Sequence, residues 1–331
     1  MNIIITGGCG FIGHHFVAHF LKNTDAKIFI FDKLTYAASG LERLRDLEVY
    51  DDKRVTVFTV DIANPISVGL LGECQDVEYI IHLAAETHVD RSIADPGTFV
   101  RSNVLGTMHM LNFARLLKKL KGFLYFSTDE VFGPAPLGVR FAEWDRHCPT
   151  NPYSATKAAG EELCLSYSNS YSLPVFITRT VNCFGERQHP EKFIPLCIRK
   201  ILAGETVSIH LDPQTGKPGS RFYIHARNVA DACLFLLNRF ERGEKYNITS
   251  GDEVSNLELA RKVAMVLGKE LMYEKVDFHS NRPGHDPRYA LDGSKMASLG
   301  WRAPKGFDEA LRKTVEWTVK NDRWLYMWGA E

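Results

Sequence analysis

Tyr153 and Lys157, in the run NPYSATKAAGEEL, stand four residues apart at the start of a predicted helix, so one face carries both. An ammonium beside a phenol lowers the phenol's pKa, and a phenol poised near neutrality can take a hydroxyl proton while hydride leaves the same carbon. Such a spacing is common in helices and means nothing by itself. It gains meaning from TGGCGFIG near the start of the chain. There Gly8, Gly10 and Gly13 fit G-x-G-x-x-G, and Gly7, Gly10 and Gly13 fit G-x-x-G-x-x-G. These glycines permit a tight turn and a close approach of backbone to a pyrophosphate, which the following helix receives on its N-terminal N–H groups. Asp32 follows Gly13 by 19 residues at the end of the next apolar run. An acid there accepts hydrogen bonds from an adenosine ribose and repels a 2′-phosphate, which favours NAD over NADP; Lys33 beside it pulls the other way. Asp61 and Ile62 would flank the adenine, and Leu83, Ala84 and Ala85 would pass beneath the rest of the cofactor.

A second cluster, FSTDEVFG (126–133), sets Asp129 and Glu130 side by side just after Thr128, where an apolar run ends. A solvated turn is the usual reason for such a pair. In the mouth of a nucleotide site, two acids whose surroundings push their pKa values apart can serve as one acid and one base.

The elements that must position these residues read as a doubly wound α/β fold. NIIITG, KIFIFD, RVTVFTVD, VEYIIHLAA and GFLYFST are continuously apolar rather than alternating, which implies parallel strands covered on both faces. Helical stretches separate them, with helices expected over 97–119 and 153–171. PVFITRTVN (174–182) reads as a sixth strand and EKYNITSG (244–251) as a strand returning to the sheet. Residues 256–268 and 307–321 form amphipathic helices. The expected division is an NAD-binding domain over 1–178, with about 222–250 returning to it. A smaller C-terminal α+β substrate domain would cover 179–221 and 251–331.

A chain of 331 residues can bury a large core. With 40 Lys+Arg against 40 Asp+Glu, no global field recruits nucleic acid or a membrane surface. LLKKLK (116–121) reads as a cationic helix end. There is no long apolar span, and MNIII runs straight into glycines instead of continuing as a signal peptide. Seven cysteines without a C-x-x-C pair read as free thiols in a reducing compartment, hence a cytoplasmic protein. The adjacent His14 and His15 match no metal-ligand spacing, and no metal is expected.

Taken together, TGGCGFIG, FDKLTYA, HLAAETHVDRSI, STDEVFG, PYSATKAAGEEL, HPEKFIPL, NRPGHDPRYALD and LGW resemble the nucleotide-sugar 4,6-dehydratases of the extended short-chain dehydrogenase/reductase superfamily, over nearly the whole chain. The superfamily shares the glycine turn and the Tyr/Lys pair, whereas the Thr-Asp-Glu triplet is specific to the dehydratases. The resemblance implies a Rossmann domain with bound NAD and a nucleotide-diphosphate hexose, such as dTDP- or UDP-glucose, converted to its 4-keto-6-deoxy sugar. Tyr153 would act as base for oxidation at carbon 4, Glu130 would take the carbon 5 proton, and Asp129 would protonate the departing carbon 6 hydroxyl. Thr128 would hydrogen-bond the oxygen on carbon 4, and hydride would return to carbon 6. It places Phe11, Ile12, Lys33, Leu34 and Thr35 around the cofactor as well. Around the substrate it places Thr87, Asn182, Lys192, Phe193, Ser208, His210, Arg221, Asn256, Arg282 and His285. It also implies a homodimer built on helices 97–119 and 153–171, whose outer faces carry Met108, Met110 and Leu163.

The chain departs from the family pattern in two places. Cys183 stands where a second Asn is usual, with Phe184 in place of the following Tyr. VSIHLDPQTGKPGSRFY (207–223) is longer than usual, with His210 in place of an aromatic Tyr and Phe222 where Asp often follows the Arg. The loop before Tyr153 is also shorter. These changes leave the base open between thymine, uracil and another, and leave room for an N-acetylated or longer sugar. Two rival readings remain at this level: an epimerase or decarboxylase on the same fold, which has no use for paired acids, and an NAD-sensing protein without activity, which needs the glycine turn but not the triplet.

Overall fold

The computed structural model describes residues 1–212, 216–251, 253–277 and 288–327. Its strands are β1 (Asn2–Thr6), β2 (Lys27–Asp32), β3 (Val55–Thr59), β4 (Tyr79–His82), β5 (Gly122–Thr128), β6 (Val175–Thr180), β7 (Asn182–Phe184), β8 (Val207–Leu211), β9 (Ser220–His225), β10 (Lys245–Ile248), β11 (Glu253–Ser255) and β12 (Tyr273–Asp277). Seven of them form one sheet in the order β10-β6-β5-β4-β1-β2-β3, with every neighbouring pair parallel.

The apolar runs explain this sheet residue by residue. Ile3 and Ile5 of β1 point into one core together with Phe16, Leu124 and Phe176, while Ile4 between them joins the opposite core with Phe29, Phe31, Ile80 and Phe123. Side chains alternate across a strand, so a strand that is apolar at every position needs cover on both faces. Helices Phe11–Asn23 and Ala226–Leu236 provide it on one side, and Gly106–Ala114 with Pro152–Tyr171 on the other. The chain builds β1 to β3 in one direction and β4 to β6 in the other. The strand order therefore reverses between β1 and β4, whose carboxyl ends open the crevice where such sheets bind ligands.

After β6 the chain builds two small sheets, β11-β9-β7 and β12-β8. They pack with helices Phe193–Ala203, Asn256–Leu267 and Phe307–Lys320 around a separate core that includes Phe184, Ile198, Tyr223, Leu259 and Leu311. β10 returns to the large sheet beside β6, as expected from EKYNITSG.

The expected helix over 97–119 is shorter and mixed in type: a single α-helical turn at Pro96–Phe99, a π-helical stretch at Val100–Leu105, and an α-helix that ends at Ala114. Its end is set by the sheet. Lys121 and Gly122 donate backbone hydrogen bonds to the Glu78 carbonyl, and Lys119 reaches Asp76 at 2.6 Å, so the chain leaves the helix to bring β5 alongside β4. All seven cysteines are free thiols. No helix among the described residues is long and apolar enough to cross a membrane.

Candidate active site

The glycine turn fits a dinucleotide by the space it lacks. Gly7 has φ +69°, and a Cβ on it would lie 2.9 Å from the Ala84 backbone; a Cβ on Gly13 would lie 2.1 Å from the Gly7 carbonyl oxygen. The helix Phe11–Asn23 starts at Gly10 with no side-chain cap, which leaves its first N–H groups for an anion. Asp32, at the end of β2, is 8% exposed; one carboxylate oxygen accepts from the Cys9 N–H at 3.0 Å and the other from the Leu34 N–H at 2.8 Å. Burial pushes its carboxyl up against the pull of these two N–H groups and of Arg43.

The cleft that opens over this turn is lined by Gly7, Gly10, Phe11, Ile12, Gly13, Asp32, Lys33, Thr35, Asp61, Ile62, Leu83, Ala84, Ala85, Thr87 and Lys192 among the residues expected from sequence. Leu34 serves through its backbone, holding Asp32. Beneath the floor, His82 bridges Thr6 and Thr107 through its two ring nitrogens, at 2.8 and 3.2 Å, and the Thr6 hydroxyl in turn takes the Ala84 N–H. Burial first, and Lys157 second, hold this imidazole neutral with a pKa of about 3.

Sequence reasoning missed one wall of the cleft. Gln188, His189 and Glu191 come from the segment after β7, and Tyr36 and Arg43 from the chain after β2. Arg43 is fully buried and donates to the carbonyls of Ala37, Ala38 and Arg187 at 2.7, 2.9 and 3.1 Å. Its charge lies close enough to act on Asp32. The cleft is laced across its mouth as well. His88 meets Glu191 at 3.4 Å, and the Arg91 guanidinium lies 4.0 Å over the Tyr36 ring. HPEKFIPL holds His189 and Glu191 and FDKLTYA holds Tyr36; what was lacking was their convergence.

The catalytic candidates meet at the carboxyl end of β5 and the start of helix Pro152–Tyr171. Thr128 ends β5 and caps the 3₁₀ turn Asp129–Phe132, and its hydroxyl donates to Asp129 Oδ1 at 3.1 Å. Asp129 Oδ2 is buried with no hydrogen-bond partner. Burial, then the charge of Glu130, raise the Asp129 carboxyl to about 7, with Arg221 and the Thr128 hydrogen bond pulling it back. Glu130 is only partly buried and accepts from Asn151 Nδ2 at 3.3 Å. Asn151 also caps the long helix in a capping box with Ser154, and Pro152 occupies its first turn, so the local sequence fixes where Tyr153 begins.

Tyr153 is buried and near Thr128, Asp129, Glu130 and Cys183, all of which act on it. Its phenol is pushed up by burial and by the two acids, against a hydrogen bond with Thr128. This corrects the expectation of a phenol lowered by Lys157. The Lys157 ammonium is engaged elsewhere: Nζ donates to the Phe126 carbonyl at 2.6 Å and lies 4.3 Å over the Tyr125 ring.

The substrate candidates divide. Arg221 acts on Asp129, and Asn182 starts β7 in register with Tyr223 beside it. Phe193 packs against the C-terminal core. Ser208 donates to Glu274 at 2.8 Å across the β8–β12 pair that also carries His210, and Asn256 accepts from the Tyr223 hydroxyl at 3.4 Å; none of these four lines the cleft. Arg282 and His285 lie outside the described residues.

Comparison with known proteins gives the family. Residues 4–314 fit the family model described as GDP-mannose 4,6 dehydratase. The low-salt glycan biosynthesis protein Agl12 of Haloferax volcanii is 40% identical over 97% of this chain and its own full length. The dTDP-glucose 4,6-dehydratase of Escherichia coli is 36% identical over 98% of this chain and 94% of its own. Among solved structures, DesIV of Streptomyces venezuelae, a dTDP-glucose 4,6-dehydratase with NAD bound, superposes with a TM-score of 0.88 at 35% identity, covering 99% of this chain and 100% of that one. With the family model matched over residues 4–314 and these relatives aligned over nearly their full length, the chain belongs to the GDP-mannose 4,6-dehydratase family of nucleotide-sugar dehydratases.

Proposed function

We propose that this protein converts a nucleotide-diphosphate hexose, dTDP- or UDP-glucose, to the 4-keto-6-deoxy sugar. The observation that carries the reading is the asymmetry of the acid pair. Asp129 is buried with one oxygen unpartnered and a pKa near that of a neutral-pH acid, while its neighbour Glu130 is wetter and hydrogen-bonded by Asn151. Such different settings are what sets apart two adjacent acids for the separate acid and base roles that an elimination requires. NAD, which the glycine turn and Asp32 would hold, would supply the hydride acceptor and a positively charged ring.

Tyr153 takes the proton of the carbon 4 hydroxyl, with Thr128 bonded to the same oxygen. The resulting ketone acidifies carbon 5. Glu130 removes that proton, and Asp129 delivers its own to the departing carbon 6 hydroxyl, its unpartnered oxygen being the site for that group. The hydride taken from carbon 4 is returned to carbon 6 as a proton is restored at carbon 5. A positioned acid or base is worth about 10²–10⁴ in rate. Arg221, near Asp129, suits the diphosphate through its bidentate fork. An epimerase shares the first step but leaves the acid pair without work. Incubation with a panel of nucleotide hexoses followed by mass measurement tests the reading: one of them should lose one water, and loss from none refutes it.

In this reading residues 1–178, with about 222–250 returning, serve NAD, and 179–221 with 251–331 serve the nucleotide sugar, in a cytoplasmic homodimer. Support for the dimer comes from exposed apolar side chains on the two expected helices: Val100, Leu105 and Tyr171 are 45%, 39% and 50% exposed. Met110 is not among them, being buried against the sheet. Light scattering at micromolar concentration should give twice the chain mass; a stable monomer refutes the dimer.

A further inference from the structure

Tyr36, His189 and Glu191 line the cleft, and His88 and Arg91 stand behind them, outside its lining. The contacts of these five side chains close into a ring. The Arg91 guanidinium lies 4.0 Å over the Tyr36 ring, and Tyr36 meets the His189 ring edge to face with centroids 6.2 Å apart. His189 Nδ1 lies 3.7 Å from Glu191 Oε1, and His88 Nε2 lies 3.4 Å from Glu191 Oε2. His88 also caps the short helix Val89–Ala94, where its Nδ1 accepts the Arg91 N–H at 3.4 Å and so returns the circuit to Arg91. The ring joins the segments that follow β2, β4 and β7.

The wall that follows β7 is held unequally along its length. Glu186 is buried and meets His225 at 3.1 Å and Arg227 at 2.6 Å. Arg187 is buried as well, pairs with Asp46 at 2.5 Å and gives its carbonyl to Arg43. Gln188 donates to the Cys183 carbonyl at 3.0 Å. Beyond this anchor, the ion-pair contacts of His189, Glu191 and Lys192 span 3.4–3.8 Å between side chains that are 16–40% exposed. The helix Phe193–Ala203 then fixes the chain again. Partly exposed ion pairs and ring contacts are individually weak, so the four residues between the two anchors are the part of this wall that opens most easily.

We propose that this ring is a clasp on the nicotinamide cofactor: Glu191 is the positioning residue at its hub, and His189–Lys192 is the strap that lifts for the cofactor to enter or leave. The proposal rests on the function above only in taking NAD as the occupant of the cleft. A clasp suits a reaction that gives its hydride back to the same sugar, since a cofactor that left in between would strand the sugar half-converted. The test is the exchange of NADH, followed by its fluorescence and without any sugar. Protein loaded with NADH and chased with excess NAD gives the off-rate, and cofactor-depleted protein mixed with NADH gives the on-rate. His88→Asn keeps an acceptor for the Arg91 N–H but is too short to reach Glu191, and Arg91→Gln removes the cation over Tyr36. Neither side chain lines the cleft. Each variant should raise both rates by about 3–10-fold and change the dissociation constant by less than about twofold, because a loosened clasp lowers one barrier in both directions. Glu191→Gln, which breaks the ring at its hub, should raise both rates as well. The two variants outside the lining lie on different contacts of the ring, so either one serves should the other fail to fold. Unchanged rates in a folded variant of this pair, or an off-rate that rises while the on-rate stays put, would place the barrier outside the ring and overturn the proposal.

Discussion

In Asp129→Asn, an amide of the same shape replaces a carboxyl that is 4% exposed and has one oxygen without a hydrogen-bond partner. The wild-type carboxyl is raised from 3.8 to about 7, first by burial and then by Glu130. The folded state therefore holds this proton more tightly than the unfolded chain does. The stability this supplies is complete below the unfolded value and is lost as pH rises through about 7. Each pH unit between the two values removes about 1.4 kcal/mol, so the wild type should lose about 2–3 kcal/mol from this group between about pH 5 and pH 8. The asparagine variant has no such proton to lose. Its stability relative to wild type should therefore grow by that amount over the same range, a relative gain of roughly 3–4 °C in melting temperature for a chain of this length. The same variant should lose about 10²–10⁴ in turnover. Thermal melts of both proteins across this pH range, run with the turnover assay, check the pair of effects. A melting difference that does not change with pH would show that Asp129 is not held protonated by its burial, and the assignment of the acid would fall with it.

Three other outcomes follow from the site. Tyr153→Phe removes only the ionisable oxygen, so turnover should drop by at least about 10²-fold while calorimetry gives a near-wild-type affinity for the nucleotide sugar; turnover at the wild-type rate would assign the base elsewhere. Asp32→Ala should weaken NAD binding, and the wild type should bind NAD more tightly than NADP; equal affinities would contradict the role given to Asp32. Glu130→Gln should abolish exchange of the carbon 5 hydrogen with deuterated solvent, whereas Asp129→Asn should retain it because the base survives; exchange at the wild-type rate in the glutamine variant would remove Glu130 from the mechanism.

Much of this architecture was legible because its signals are local. β1, β2 and β5 are apolar at nearly every position, and only a sheet covered on both faces buries such runs. The glycine turn was legible for the same reason: Gly7 and Gly13 have neighbours within 3 Å of any side chain they could carry, a constraint written into their own positions. The helix over 97–119 was misread because its end is decided at long range, where Lys121 and Gly122 meet Glu78. Arg43, Gln188 and Glu191 escaped notice because they meet the glycine turn only in the folded chain, Arg43 from the segment after β2 and Gln188 and Glu191 from the segment after β7. The state of Tyr153 was misjudged for an energetic reason. Spacing puts Lys157 on its face, but burial and two nearby acids outweigh one ammonium that is bonded to the Phe126 carbonyl.

The central claim, oxidation at carbon 4 followed by loss of water across carbons 5 and 6, is tested most directly with a nucleotide glucose carrying deuterium on carbon 4. The product should be lighter by one water and should keep the deuterium, now on carbon 6. Label remaining on carbon 4 or lost to solvent, in a product that has shed no water, would contradict the account and place the protein among the enzymes that only oxidise and re-reduce the sugar.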